Sequence, residues 1–380
     1  MRRASLAILL VLVLTQSVWA ASFGEDGSVQ QLIAQISHET LNSEYDEAIA
    51  GTHNLINAYP KEPFPRFLLT TIYMYILRSY WDFPVDDQYA LYKKKFSSAA
   101  AEAKKACDDY PVQNATTYFL KGMVLGAEGM VHLQDKEWLN SYSKGKGAVA
   151  ALEKSLELDP TNYDAYLGLG MFEYYCSKLT GAVKILAWII GFSGNSEKGI
   201  EYVMKAMTHG KYGEGPAKVF LAYAYIEYED KLDEGMELAK ALRKQYPRNF
   251  NFIEYILRAA RKLPTERATE GLAWIDSYVK TPNWKEEVIL FVPFNLEMVD
   301  YVEANLHLAR NDYAAARSLL EPVSACSRHV DEFTTEVNLT LLYVYAKTAN
   351  HEKAREVYSL IMNHKSINNS HSKAKDIFRG

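Results

Sequence analysis

The chain has 380 residues, of which 48% are hydrophobic and 23% charged, and its formal net charge is -5. These values exclude a disordered or fibrous protein and predict a folded chain with a sizeable core. The 42 basic and 47 acidic residues create no field of positive charge, so nucleic acid is not an expected partner.

The first twenty residues have the three-part layout of a secretory signal peptide. Arg2 and Arg3 precede the apolar run Leu6–Leu14, and Val18 and Ala20 occupy the two positions that a signal peptidase reads. We place cleavage after Ala20 and expect an exported protein that is periplasmic, associated with an outer membrane or secreted. An uncleaved membrane anchor is the alternative, but the run is shorter than the roughly 20 apolar residues that cross a bilayer.

A recurring unit follows the signal peptide and is marked by Tyr-Pro and Asp-Pro dipeptides. In the clearest copy a small, a large and a small residue lead to a proline, and an aromatic residue, a leucine and a glycine follow: Ala148, Leu152, Ser155, Asp159-Pro160, Tyr166, Leu169 and Gly170. Further copies are Tyr45, Ala48 and Pro60; Ala99, Ala103, Ala106 and Pro111; Gly235, Ala239 and Pro247; Trp274, Ser277 and Pro282; and, without the proline, Tyr313, Ala316 and Leu320, and Ala354, Tyr358 and Ile361. Because these spacings are helical and no stretch alternates as a strand does, the sequence predicts an all-α protein.

This order of residues resembles the tetratricopeptide repeat (TPR). The resemblance implies a right-handed α-solenoid of about eight antiparallel helix pairs, with a concave groove lined by the first helix (A) of each pair. Small residues let paired helices approach, as Gly170 does opposite Gly199, and proline ends the second helix (B) because it has no N–H donor. We assign residues 21–365 to one solenoid and expect Asp233 and Asp312 to cap helix starts.

An apolar insertion at residues 175–199 interrupts the repeat. The run Ala182–Phe192 predicts either a buried extension of an A helix with a loop over the groove, or an exposed apolar hook for a partner or a membrane. The stretch Tyr163–Tyr228, with YDAYLGLGMFEYY and AKVFLAYAYIEYE, resembles exported bacterial TPR proteins of unassigned role and, more distantly, the inclusion-body clearance family of repeat proteins. Neither family supplies catalytic residues. Residues 366–380 predict a polar, frayed tail.

Patterns typical of catalysis and metal binding are absent from the sequence. There is no HExxH, no paired Cys/His arrangement and no GxSxG, and the GFSGNSEKG loop has neither the spacing nor the strand context of a phosphate-binding loop. The densest polar cluster, His132, Asp135 and Glu137, predicts a solvated helix end. The three cysteines are expected to be buried free thiols: Cys107, Cys176 and Cys326. We therefore expect no catalytic residue, metal or cofactor, and a protein that is not an enzyme.

Tyrosine is in excess, with 27 residues, and it is favoured at recognition surfaces. The family pattern sends nine A-helix residues toward the groove: Leu167, Met171, Tyr174, Phe220, Ala224, Glu227, Tyr301, Asn305 and Tyr343. The clamp of Lys, Arg and Asn that holds a peptide's terminal carboxylate in the best understood grooves of this family is missing. Apolar and aromatic residues replace it and favour a peptide bound by surface burial. We expect Phe220→Ala with Tyr301→Ala to weaken partner capture without unfolding the chain.

Three functions follow from these observations. The first is an exported scaffold that docks a protein or peptide partner in its groove. The second is a small-molecule-binding protein or enzyme with a pocket under residues 179–199, which convergent charged groups in a closed pocket would favour. The third is a membrane-associated assembly factor that makes a peripheral membrane contact, which an exposed apolar helix at 182–192 would favour.

Overall fold

The computed structural model describes residues 23, 26–80, 86–179, 194–263, 265–280, 294–326, 332–367 and 369–379. Over these residues the chain forms seventeen helices and no strand. The prediction of an all-α helical-repeat fold is therefore confirmed.

The helices are numbered here in chain order. Their bounds are α1 Gly27–Leu41, α2 Tyr45–Ala58, α3 Pro63–Arg78, α4 Asp86–Asp109, α5 Ala115–Gln134, α6 Trp138–Leu158, α7 Ala165–Lys178, α8 Ser196–His209, α9 Glu214–Glu227, α10 Leu232–Gln245, α11 Asn251–Lys262, α12 Thr265–Val279, α13 Phe294–Ala309, α14 Tyr313–Cys326, α15 Glu332–Lys347, α16 His351–Asn363 and α17 Ser370–Arg379. The first sixteen follow one another as eight A–B pairs in chain order, and in six of these pairs the two helices pack against each other: α1–α2, α5–α6, α7–α8, α11–α12, α13–α14 and α15–α16.

Contacts between helices separate the chain into two compact units. The first unit comprises Met1–Leu77 and Ala90–Phe220, and the second comprises Arg78–Tyr89 and Leu221–Gly380. The sequence predicted one continuous solenoid over residues 21–365. The boundaries between the units fall inside helices, after Leu77 in α3, after Tyr89 in α4 and after Phe220 in α9, and not at junctions between pairs.

Proline ends the B helices as predicted. Pro60, Pro111, Pro160 and Pro247 each lie two residues after the last helical residue of α2, α4, α6 and α10. Proline lacks the N–H that the next helical turn would need, and it disfavours helical geometry in the residue before it. The chain therefore turns at the same point in four different repeats. Pro282 lies outside the described residues.

Small residues meet where paired helices approach most closely. Gly170 of α7 lies against Gly199 of α8 so tightly that a Cβ atom added to Gly170 would stand 2.7 Å from the Gly199 carbonyl oxygen. Ala148 and Ala316, at the small positions of two other repeats, are 4% and 0% exposed. The contact predicted between Gly170 and Gly199 is confirmed, and so is the inward orientation of the small residues.

In each of five short A–B turns, one residue has a left-handed backbone conformation. These residues are Ser43, Lys136, Asp230, Asn311 and Ala349, with φ between 50° and 64°. In four of the turns the N–H of the residue that follows donates to a carbonyl five positions back, which satisfies the open end of the A helix. The turn thus reverses the chain within about three or four residues in each of these repeats.

One of the two expected helix caps is present. The carboxylate of Asp312 accepts a hydrogen bond from the N–H of Ala315 at 3.1 Å, so this residue caps α14. Asp233 instead lies inside the first turn of α10, whose N-cap residue is Lys231, and the prediction for Asp233 is wrong. An acidic residue in the first turn still interacts favourably with the positive end of the helix dipole.

The C-terminal residues form a helix and not the frayed tail that the sequence predicted. Helix α17 packs against α15 and α16, its Ala374 is fully buried, and the Phe378 ring stacks on Tyr358 at 4.7 Å. Apolar residues at positions 374 and 378 share one helix face, so α17 covers the end of the last repeat.

The central part of the apolar insertion, residues 180–193, lies outside the described residues, and so does the prediction for Ala182–Phe192. Residues 1–22, which carry the predicted signal peptide, also lie outside them. Among the helices that the structure describes, none combines the length and apolarity needed to cross a membrane.

Candidate partner-binding surfaces

The four groove residues predicted in the first unit lie mostly inside it. Leu167, Tyr174 and Phe220 are buried, and only Met171 is half-exposed. The Tyr174 ring meets Phe220 edge to face at 5.2 Å, and its backbone N–H lies where a side chain on Gly199 would have to go. Tyr174 therefore fills the space that the glycine contact leaves, which is a packing role.

In the second unit, the predicted groove residues divide into packed and accessible ones. Ala224, Tyr301 and Asn305 are buried, whereas Glu227 is half-exposed and Tyr343 is 37% exposed. The Asn305 side chain donates to the carbonyl oxygen of Tyr301 at 2.8 Å. The Asn305 amide therefore makes its hydrogen bond to a carbonyl group of its own helix.

These positions correct the expectation that all nine residues face a partner. Six are buried, and of these Phe220 and Tyr301 are each only 4% exposed. Removing a buried aromatic ring costs about 3–5 kcal/mol, so Phe220→Ala and Tyr301→Ala are expected to destabilise the fold. The pattern placed these residues on A helices correctly but could not tell the groove side of a helix from the side that packs on the next pair.

A charged network surrounds Glu227, the acidic residue of the predicted set, whose side chain is 14% exposed. Glu227 accepts a hydrogen bond from Lys262 Nζ at 3.0 Å and one from Arg258 Nη1 at 3.4 Å. Arg258 Nε donates to Glu254 at 2.5 Å, and Lys262 also donates to the Ile226 carbonyl at 2.8 Å. Two cations and two carboxylates thus fix one another between the A helices α9 and α11.

Aromatic rings continue this surface in the same unit. The Tyr223 and Tyr255 rings lie 6.0 Å apart, and the Arg78 guanidinium stands 5.4 Å above the Tyr223 ring. An Arg78 Nη atom also lies 3.4 Å from the Tyr255 hydroxyl. Guanidinium groups stack favourably on aromatic faces. We name the accessible members of this set the A-helix surface: Arg78, Tyr223, Glu227, Arg258 and Lys262. Tyr255, which is 8% exposed, is buried and is not part of this surface.

A cleft of about 520 Å³ opens in the first unit between α6, α7 and α8. Apolar side chains form part of its wall, including Val149, Leu156, Leu169 and Phe172. The Tyr166 and Tyr202 rings also line it and meet edge to face at 5.0 Å. The cleft reaches Gly194 and Lys198, so it borders the second half of the insertion, where the sequence predicted a pocket as an alternative.

Charged groups line the cleft with an excess of carboxylates. Among the lining residues that the structure describes, Glu153, Glu157 and Glu173 face one cation, Lys198, whose ammonium lies 2.5 Å from Glu173. This hydrogen bond raises the pKa of Lys198. Just outside the lining, Lys205 pairs with Glu201 at 2.9 Å.

Two of the three cysteines and the predicted helix-end cluster serve packing or local structure, and the side chain of Cys326 lies outside the described residues. Burial raises the pKa of the Cys107 and Cys176 thiols to about 12, so neither is a nucleophile at neutral pH. In the predicted helix-end cluster, His132 Nδ1 lies 2.8 Å from Glu137, across the turn from α5 to α6. Within the described residues, no group of His, Cys, Asp and Glu has the arrangement of a metal site.

Sequence reasoning missed the residues that complete both surfaces. Arg258 and Lys262 were not singled out, although both lie on an A helix and follow Glu254 at the i+4 and i+8 positions of one helix face. Tyr202 lies on a B helix, and the groove prediction considered only A helices. The spacing of Arg258 and Lys262 was available in the sequence, whereas the meeting of Tyr166 and Tyr202 was not.

The fold is that of a tetratricopeptide-like helical repeat. No protein-family model matches the chain, and no curated protein matches it. Among solved structures, the chain is similar to a monomeric mutant of IFIT1 with Gppp-AAAA, at 14% sequence identity and a TM-score of 0.38, over 89% of this chain and 78% of that chain. A likeness of this size carries no information about ligands.

Proposed function

We propose that this protein is an exported scaffold that binds a segment of another protein through the A-helix surface of its second unit. The observation that carries the proposal is the network in which Arg258 is held between Glu254 and Glu227, beside Lys262. An arginine fixed in this way has lost its rotamer freedom before a partner arrives, so less entropy is lost on binding.

The composition of the surface also suits protein recognition. Arginine and tyrosine are enriched among the residues that dominate binding energy, and Arg78 and Arg258 lie here with Tyr223. The network itself is balanced, with two carboxylates against the charges of Arg258 and Lys262. Arg78 is the only further charge of the named surface, so little excess positive charge remains, and the surface favours a polar and aromatic protein segment over a polyanion, in agreement with the net charge of -5.

The binding test uses a photo-crosslinking amino acid at position 262 of the exported protein. The side chain of Lys262 is 40% exposed, so the probe reaches solvent without disturbing the core. Lys244 of the B helix α10 is also exposed and lies in the same unit, which makes it the matched control position. We expect a discrete crosslinked adduct from position 262 and none from position 244. Adducts of equal yield at both positions would remove the support for this surface.

A pair of substitutions tests the energetic contribution of the same surface. Once the adduct has identified the partner, Lys262→Ala should weaken its affinity by at least about fivefold, because a charged group at a recognition surface is removed. Lys244→Ala removes the same charge elsewhere and should leave the affinity unchanged. Circular dichroism of both variants must match the wild type for the comparison to count.

Export is tested separately from binding. Residues 1–20 should be absent from the exported protein, so its intact mass should correspond to a chain that begins at Ala21. Deletion of residues 2–20 should leave the protein in the cytoplasm of the producing cell. An exported protein that keeps these residues would instead favour the uncleaved anchor.

A further inference from the structure

We infer that the cleft between α6, α7 and α8 is a second binding site, and that it takes an organic cation, an ammonium or guanidinium group carried on an apolar stem. This site lies in the first unit, apart from the A-helix surface, and the inference does not depend on the proposed function.

Charge is the first reason. Of the described residues that line the cleft, three carry a carboxylate and one an ammonium, an excess of two negative charges that Lys154, outside the lining, reduces to one. Glu173 is compensated by Lys198 at 2.5 Å, whereas Glu157 pairs only with its exposed helix neighbour Lys154 at 2.8 Å. Exposed pairs of this kind contribute about 0–1 kcal/mol, so an incoming cation can replace Lys154 at little cost.

The aromatic wall is the second reason, because the chain's own cations already use it. The Lys205 ammonium stands 5.4 Å from the centroids of both Tyr166 and Tyr202, and the Lys198 ammonium stands 5.3 Å from the centroid of Tyr202. Positive charge is attracted to the negative face of an aromatic ring. The structure thus shows which kind of group these rings accept.

The resident lysines do not block the cleft permanently. The side chains of Lys198 and Lys205 are 47% and 41% exposed, and each is held by one carboxylate, Glu173 and Glu201 respectively. Both are long, flexible side chains that can turn into solvent while keeping water as a partner. A ligand cation can therefore take the place of either ammonium over the rings.

Shape is the third reason. The cleft volume of about 520 Å³ lies within the range of small-ligand pockets, and it exceeds what a single ammonium group fills. Its apolar lining from Val149, Leu156 and Phe172 suits the methylene stem that carries the charge in an arginine or lysine side chain, or in a free polyamine. These two sources share one chemistry and differ only in what lies beyond the stem.

The test measures binding of a fluorescein-labelled peptide Gly-Arg-Gly-Arg-Gly to the mature full-length chain by fluorescence anisotropy. A peptide with citrulline in place of arginine has the same shape without the charge and should bind at least about fivefold more weakly. Raising the salt concentration from 50 mM to 500 mM should weaken the arginine peptide further, since the carboxylates are exposed. Equal binding of the arginine and citrulline peptides would overturn the inference.

Substitutions locate the site. Glu153→Gln with Glu157→Gln removes two of the three lining carboxylates and should weaken binding about fivefold or more. Glu102→Gln with Glu214→Gln makes the same change of charge at exposed positions of the first unit outside the cleft, and should stay within about twofold of the wild type. Tyr202→Leu keeps apolar volume without the ring and should weaken the arginine peptide but not the citrulline peptide. An equal loss in the cleft and control variants would place binding elsewhere and overturn the inference.

Competition separates the two sources of the cation. If spermidine displaces the peptide at a concentration similar to that of the free peptide, the site recognises the charged stem alone and a free amine is sufficient. If only unlabelled peptides displace the labelled peptide, the site also recognises the backbone around an arginine or lysine, and a protein segment is the ligand. Crosslinking at position 262 reports on the other unit, so loss of peptide binding in the cleft variants with an unchanged adduct distinguishes the two sites.

Discussion

The close contact between α7 and α8 can be tested by adding one methyl group. In Gly170→Ala the new Cβ would lie 2.7 Å from the Gly199 carbonyl oxygen, 2.8 Å from Val203 Cγ2 and 2.9 Å from the Val203 nitrogen. Two of these three atoms belong to the backbone of α8, so no rotation of a side chain relieves the clash. The helices α7 and α8 must move apart, and every contact between them is weakened.

The expected magnitude follows from two opposing effects. Overpacking typically costs about 1–3 kcal/mol, and backbone contacts place this site at the upper end. Replacing glycine by alanine inside a helix returns about 0.5–1 kcal/mol through backbone entropy. The net loss is therefore about 2 kcal/mol, which lowers the thermal midpoint of a unit of roughly 200 residues by about 4–8 °C.

The assay is urea and thermal unfolding followed by circular dichroism, with Gly126→Ala as the matched control. Gly126 also lies within a helix of the first unit, but a Cβ there would meet only the Ala148 Cβ at an ordinary 3.9 Å. This control should be stabilised by up to about 1 kcal/mol, since only the entropy effect remains. If both variants unfolded at the same denaturant concentration, the close approach of Gly170 to α8 would be refuted.

Three further predictions follow from other contacts. The buried carboxylate of Asp164 accepts hydrogen bonds from the backbone N–H groups of Lys211 and Tyr212, both at 3.0 Å. In urea titrations, Asp164→Ala should therefore lower the free energy of unfolding by about 2–4 kcal/mol. An unchanged free energy of unfolding would show that the loop does not need these two hydrogen bonds. Ala349 has φ of 52°, so Ala349→Gly should raise the urea midpoint by an amount equivalent to about 0.5–1 kcal/mol; a fall would contradict the strained turn. Because burial raises the pKa of Cys107 to about 12, iodoacetamide at pH 8 should modify it only after unfolding, and rapid modification of the folded protein would contradict its burial.

The repeat itself was readable from the sequence because its signals are local. Pro160 ends a B helix wherever the chain places it, and Ala148 or Gly170 must face a neighbouring helix because only a small residue fits there. Each signal depends on a few adjacent residues and on the periodicity of one helix. The fold class followed from repeating such signals along the chain.

The side of the helix that meets a partner was decided by tertiary structure. Tyr174, Phe220 and Tyr301 occupy positions on A helices that the pattern assigns to the groove, yet the packing of neighbouring helices covers them. A pattern within one helix records which residues are apolar, but the burial of each depends on how far the next helix pair is rotated and displaced. Single-helix periodicity does not contain that information.

The two candidate sites show the same division. Glu254, Arg258 and Lys262 follow one another on a single helix face, so the sequence determines that they lie side by side. Glu227 meets them from another helix, and Tyr166 and Tyr202 converge with the ammonium of Lys205. Both arrangements depend on contacts between helices. Local spacing thus determined the repeat and its helices. The burial of the tyrosines and the composition of each candidate surface were decided only by the packing of the pairs, because the whole core sets the distances between separate helices.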